Sequence, residues 1–242
     1  MIDTILFDLD GTLLRFKQDV FINTYFSKLS NVFINLGLDP ELSVKAVWAG
    51  TRSMVQNDGS KLNIQRFWDT FSEVMSISDT KLKMVEEACD RFYTSDFNQV
   101  KSIAEHSDIP KRLIKQLKDR GYTLVLATNP LFPECGVQSR LKWGDMDAED
   151  FLLITHYGNS SFCKPALDYY KEILSKINKT PQLCLMVGNN PAEDMVVSEL
   201  GMQVFLVTDY IEDDAKVDIS QFRRGTLSEA EAFLLSLPEI EK

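Results

Sequence analysis

Two aspartates two residues apart, Asp8 and Asp10, end a short apolar run and are followed at once by Gly11 and Thr12. In extended backbone, residues i and i+2 point to the same side, so the two carboxylates converge. Carboxylates that close repel unless a cation offsets them or one keeps its proton. The pair therefore suits a hard-metal site or an acid/base couple, or else an Asp-rich turn capping a strand. Thr128 and Asn129, followed by Pro130, offer a hydroxyl and amides that can hydrogen-bond an anion, or simply form a turn. Lys164 precedes Pro165 and a predicted helix start, where a point charge joins amides that already favour anions. Asn189 and Asp194 lie in a loop that also holds Asn190 and Glu193 and follows another apolar run.

These groups need rigid elements to hold them. The run over residues 4–7 reads as a strand buried on both faces, and residues 122–127, 151–154, 183–187 and 203–207 repeat that signature. Helical patterns alternate with them: one opens at Pro110 and stops at Gly121, another opens at Pro165 and carries Tyr169, Tyr170, Ile173, Leu174 and Ile177, and a third covers residues 192–200 before Gly201. Strand and helix alternation predicts an α/β fold, a Rossmann-like parallel sheet covered on both faces, with ligands beyond the carboxyl ends of the strands. Between residues 15 and 98 the strand signal disappears. Ile22, Tyr25, Phe26, Leu29, Phe33 and Leu36 share one helical face, Ile64, Phe67, Trp68, Phe71, Val74 and Met75 a second, and Leu82, Val85, Cys89 and Phe92 a third, with a further helix over residues 42–55. The organisation expected is a discontinuous core, residues 1–14 and 99–242, with an all-helical insert at 15–98 hinged near residues 14–17 and 96–101.

Composition narrows the function. The 242 residues hold 26 Lys plus Arg against 36 Asp plus Glu, a formal net charge of −10, so the chain repels polyanions and nucleic acid is not an expected partner. With 44% hydrophobic and 26% charged residues the usage is that of a globular protein. Cys89, Cys135, Cys163 and Cys184 are widely spaced, with no zinc-type pairing, and read as free thiols. No stretch approaches the roughly 20 apolar residues of a membrane span, and residues 1–8 lack a cationic leader, so a cytoplasmic location is expected. His106 and His156 have no evident catalytic companion, and the acidic run Glu212, Asp213 and Asp214 reads as a solvated loop. Nucleotide-binding glycine motifs are absent.

The string Phe7-Asp8-Leu9-Asp10-Gly11-Thr12-Leu13 resembles the first motif of the haloacid dehalogenase superfamily, and Thr128, Lys164 and the loop ending at Asp194 match its next three motifs in order. The insert resembles that family's first class of cap domain. The resemblance implies a phosphotransferase in which Asp8 is the nucleophile and forms an aspartyl-phosphate. Asp10 is then the acid that protonates the leaving group and the base that activates water, Thr128, Asn129 and Lys164 bind the phosphoryl group, and Mg²⁺ is held by Asp8, Asp10, Asn189 and Asp194. An acid two residues after the nucleophile resembles the phosphatase and phosphomutase branches; the dehalogenase branch has another residue type there.

One position departs from the pattern: Asn189 stands where the family has an acid, which removes a negative charge and predicts weaker Mg²⁺ binding. The expected function is a Mg²⁺-dependent phosphatase of a small phosphorylated metabolite. A phosphomutase and a catalytically weak phosphate-ligand binder are the alternatives. Arg15, Lys17 and Arg52 are candidate contacts to the leaving group. The four motifs do not specify which phosphomonoester is used or the oligomeric state.

Overall fold

The computed structural model describes residues 1–213 and 215–240. Six strands, β1 (Thr4–Phe7), β2 (Thr123–Leu126), β3 (Leu153–Ile154), β4 (Cys184–Gly188), β5 (Gln203–Val207) and β6 (Arg224–Gly225), form one sheet in the order β3-β2-β1-β4-β5-β6. Every pairing is parallel, and β1 sits between β2 and β4 with Phe7 opposite both Leu126 and Val187. The strand order reverses direction at β1, so the crevice for a ligand opens beyond its carboxyl end. Asp8 and Asp10 emerge there.

Four helices fill the stretch between β1 and the rest of the sheet: α1 (Gln18–Asn35), α2 (Pro40–Val55), α3 (Asn63–Met75) and α4 (Asp79–Thr94). Their boundaries follow local chemistry. Pro40 begins α2 while the Asp39 carboxylate accepts from the Leu42 amide, and the Ser78 hydroxyl caps α4 at Lys81. A 3-10 segment, Asp96–Ile103, leads back to α5 (Ile109–Asp119). The helices α6 (Glu134–Trp143), α7 (Leu167–Ile177) and α8 (Leu227–Ser236) complete the chain, α8 opening on a reciprocal Thr226–Glu229 capping box.

The helical stripes bury in part as their spacing predicts: Tyr25, Leu29 and Phe33 of α1 are inside together with Phe21, which the stripe did not include, while Ile22, Phe26 and Leu36 are partly buried; of the α3 stripe Trp68, Phe71 and Met75 are inside and Val74 is exposed. They join Ile5, Phe7, Leu113 and Leu126 in one apolar cluster, so the inserted helices and the sheet share a core. Phe132, in the loop after β2, packs edge-on to Phe21, Tyr25 and Tyr93 with ring centroids 5.6–6.3 Å apart.

Sequence and structure differ in four places. Residues 192–200 form turns and a 3-10 segment, Met195–Leu200, instead of a regular helix, because Asp194 and the Asn190 turn hold this backbone for the site. The helix expected from Pro165 begins at Leu167. The strand expected at 151–154 shortens to Leu153–Ile154 at the sheet edge, and β6, α6 and α8 carried no clear pattern. Asp214, part of the acidic run, lies outside the described residues. Among the described residues no helix is long and apolar enough to cross a membrane, and all four cysteines are free thiols.

Candidate active site

Asp8 leaves β1 with its amide bonded to the Val187 carbonyl at 2.9 Å, which fixes it at the rim of the sheet. Lys164 reaches it from the loop before α7. The ammonium, 1% exposed, donates to Asp8 Oδ1 at 2.7 Å and to Asp194 Oδ1 at 2.6 Å. Burial alone pushes a lysine toward its neutral form, but the Asp194 and Asp8 carboxylates outweigh it and hold Lys164 firmly charged. Burial has the opposite sign for an acid and raises Asp194, while the Lys164 charge pulls it back down. Asp194 Oδ2 also accepts from the Asn190 amide at 3.0 Å. Gly188 makes this approach feasible, since a Cβ there would sit 2.1 Å from Asp194 Oδ2.

Asp10 turns back toward the same crevice. Burial raises its carboxyl to about 6, against the pull of Arg140 and with the Asp8 charge adding to the rise. Arg140 of α6 donates to Asp10 Oδ2 and lies over the Phe132 ring, its carbon 4.3 Å from the centroid. It is wholly buried, and its Nη2 has no partner among the described residues. Sequence reasoning missed Arg140. The available signal was the spacing of Gly136, Val137, Arg140 and Leu141, which places a guanidinium on the buried stripe of a helix.

Gly11, at φ +77, turns the chain so that Thr12 can donate toward Asp8 Oδ2 and toward Asn189 Oδ1, both at 3.2 Å. Asn189 therefore directs its carbonyl at Thr12 and its amide at the Tyr210 carbonyl, 2.6 Å away. Thr128 and Asn129 border the crevice from β2, with Thr128 only 2% exposed. Asn129 donates to Glu193 at 3.1 Å and leaves its own oxygen without a partner. The structure thus brings Asp8, Asp10, Thr128, Asn129, Asn189 and Asp194 to one crevice of about 120 Å³, with Lys164 joined to it through Asp8 and Asp194.

Glu212 is the second residue that the sequence reading misplaced. It is not in a purely solvated loop: half-buried, it borders the crevice, and its amide bonds to the Asn189 carbonyl at 3.1 Å. Burial and then the charges of Asp8, Asp10, Glu193 and Asp194 push it up to about 8. The conjectured cationic contacts do not line the crevice itself. Arg15 pairs with Asp209 at 3.2 Å and stacks on Tyr210, Lys17 lines a surface depression beside it, and Arg52 is exposed.

Among the described residues, five carboxylates here face two cations, Lys164 and Arg140, and Asp10 Oδ1 is buried with no hydrogen-bond partner. That charge surplus and all-oxygen donor set suit a hard divalent cation. Among the described residues no three Asp, Glu, His or Cys side chains converge tightly enough to hold one unaided, so water and a ligand's own oxygens must complete its coordination.

Known proteins agree with this architecture. A HAD phosphatase of Thermococcus onnurineus superposes with a TM-score of 0.60 at 16% identity, covering 99% of this chain and 100% of its own. A 2-haloacid dehalogenase of Pseudomonas syringae gives 0.64 at 16%, covering 98% and 99%. A HAD-hydrolase of Bacillus subtilis, described as bound to magnesium, gives 0.57 at 16%, covering 97% and 99%. A search of curated protein sequences finds no match. These likenesses establish the fold. The model of the haloacid dehalogenase-like hydrolases matches residues 2–196, which include Asp8, Asp10, Thr128, Lys164 and Asp194, and the chain belongs to that family.

Proposed function

We propose that the protein is a Mg²⁺-dependent phosphatase of a small phosphomonoester, with Asp8 as the nucleophile. The observation that carries this reading is the state of Asp10: a carboxyl beside the nucleophile, raised to about 6 and anchored by Arg140. Such a group holds a proton it can give up and take back near neutral pH. Halide leaves carbon as a stable anion and needs no proton, so a dehalogenase has no use for the acid half of this role.

The steps follow from the side chains. A carboxylate oxygen of Asp8 attacks phosphorus in line, the bond to the ester oxygen breaks, and Asp10 protonates the departing alkoxide. Asp10, now ionised, removes a proton from a water that attacks the same phosphorus. Inorganic phosphate leaves and the Asp8 carboxylate is restored. Lys164 offsets charge on the attacking carboxylate and on the phosphoryl oxygens, while Thr128 and Asn129 supply hydrogen bonds to those oxygens. Arg140 orients Asp10. Mg²⁺, when bound, would neutralise phosphoryl charge, with Asp8, Asp10, Asn189 and Asp194 as its protein ligands. Helices α1 to α4, within residues 15–98, act as a cap that keeps bulk water from the crevice.

The test is phosphate release from a panel of small phosphomonoesters with Mg²⁺ varied from sub-millimolar to tens of millimolar, with EDTA and Asp8→Asn as controls. Mg²⁺-dependent release that vanishes in Asp8→Asn is expected. Transfer of the phosphoryl group to a second hydroxyl, with no free phosphate, would make the protein a mutase. Absence of both from folded protein would leave a binding role.

A further inference from the structure

We infer that the leaving group of the substrate carries one uncharged aromatic ring, which lodges in a cavity walled by α1 to α4 and the loop after β2. This rests on the phosphatase reading and narrows it to a substrate class. The cavity measures about 140 Å³. An apolar protein cavity of roughly this size, about 150 Å³, stays dry and binds benzene. Eleven of its nineteen lining residues are aromatic and none is charged, so its wall suits a ring and offers no counter-charge to a second acidic group; Tyr25 and Tyr93 bond each other and Thr51 bonds the Val47 carbonyl, which leaves little to satisfy a row of hydroxyls.

Its position assigns the occupant. Gln18, Leu131 and Phe132 border both this cavity and the carboxylate crevice, so the apolar cavity adjoins the polar crevice across these three side chains. Phe132 is also the ring beneath Arg140, which ties the apolar wall to the group that holds Asp10. At the junction, the buried Oε1 of Gln18 has no hydrogen-bond partner among the described residues. A phosphate beside Asp8 and Lys164 therefore leaves its ester substituent facing the aromatic wall. Gln18 could accept from one hydroxyl, but sugar phosphates would place several there and short phospho-acids a carboxylate with no cation to meet it, and both are disfavoured.

The experiment compares kcat/KM for benzyl phosphate with that for methyl phosphate, whose leaving alcohols are similarly acidic, and with glycerol phosphate, glucose 6-phosphate and phosphoglycolate. Burying one ring is expected to favour benzyl over methyl phosphate by roughly 10- to 100-fold. Thr51→Phe, which fills the cavity from α2, is expected to bring that ratio close to one. Phe26→Ala, which enlarges it, is expected to shift preference toward naphthylmethyl phosphate and serves if Thr51→Phe does not fold. Release without benzyl preference, or with glycerol or sugar phosphates preferred, overturns the inference and leaves the phosphatase reading standing. Release from no ester overturns the phosphatase reading. Benzyl alcohol binding, followed by the fluorescence of Trp48 and Trp68, then decides the cavity: saturable binding lost in Thr51→Phe retains it as an aromatic-ligand site, and no binding shows a packing void only.

Discussion

The side-chain amide of Asn189 donates to the main-chain carbonyl of Tyr210 at 2.6 Å, a bond that a carboxylate at this position could not make. The family pattern has an acid here, so restoring it carries a structural cost as well as a gain in charge. Asn189→Asp is expected to destabilise the metal-free protein by about 1–3 kcal/mol, because an acceptor then faces an acceptor. Urea unfolding with EDTA and with Mg²⁺ checks this. Millimolar Mg²⁺ should recover part of the loss, and an unchanged midpoint under both conditions would remove Tyr210 from the account.

Arg140→Met breaks a buried ion pair and leaves Asp10 without its partner. A loss near 3 kcal/mol is expected, at the low end for buried pairs because the Asp10 side chain is 17% exposed. Arg140 holds the Asp10 carboxyl down, so its removal raises that group further above about 6. The pH–rate limb in which Asp10 loses its proton should move to higher pH, a shift that loss of packing alone does not produce.

Glu212 predicts a pH-dependent stability. Its folded value, about 8, lies above the ordinary 4.5, so between these values the folded state binds more protons than the unfolded one. Stability therefore falls as pH rises through that window. Glu212→Gln removes the effect, and in EDTA its melting temperature should exceed the parent's by a margin that widens from pH 5 to 8. Mg²⁺ should narrow the margin by offsetting the same negative charge.

Gly188→Ala sets a methyl against the Asp194 carboxylate and displaces the acid that Lys164 holds. A fall in turnover of at least about tenfold is expected, in line with the cost of misplacing a catalytic group. Gly37→Ala is a control, since nothing lies within 4 Å of the added carbon. It should cost about 1–2 kcal/mol through its left-handed backbone, with turnover unaffected.

The motif strings were legible because each is local: Asp8, Thr128 and the loop to Asp194 follow apolar strands, and β1's neighbours are fixed by the sheet order. Arg140 was hidden because its partner is 130 residues away and its helix carries a weak apolar stripe. Glu212 was hidden because an acidic run looks the same whether it faces solvent or four other carboxylates. Residues 192–200 misled for a related reason. Their apolar spacing is helical, but hydrogen bonds to the Asn190 side chain and the placement of Asp194 override it.

Phe132 touches Phe21, Tyr25 and Tyr93 and so stitches the inserted helices to the loop that leads from β2 into α6. If those helices swing aside to admit substrate, the rings along this seam become wet, and hydrating apolar surface raises heat capacity. Opening then resembles a small, local melting step. Its enthalpy varies with temperature, and a turnover limited by product escape gives a curved Arrhenius plot even though the chemical step itself is unaltered.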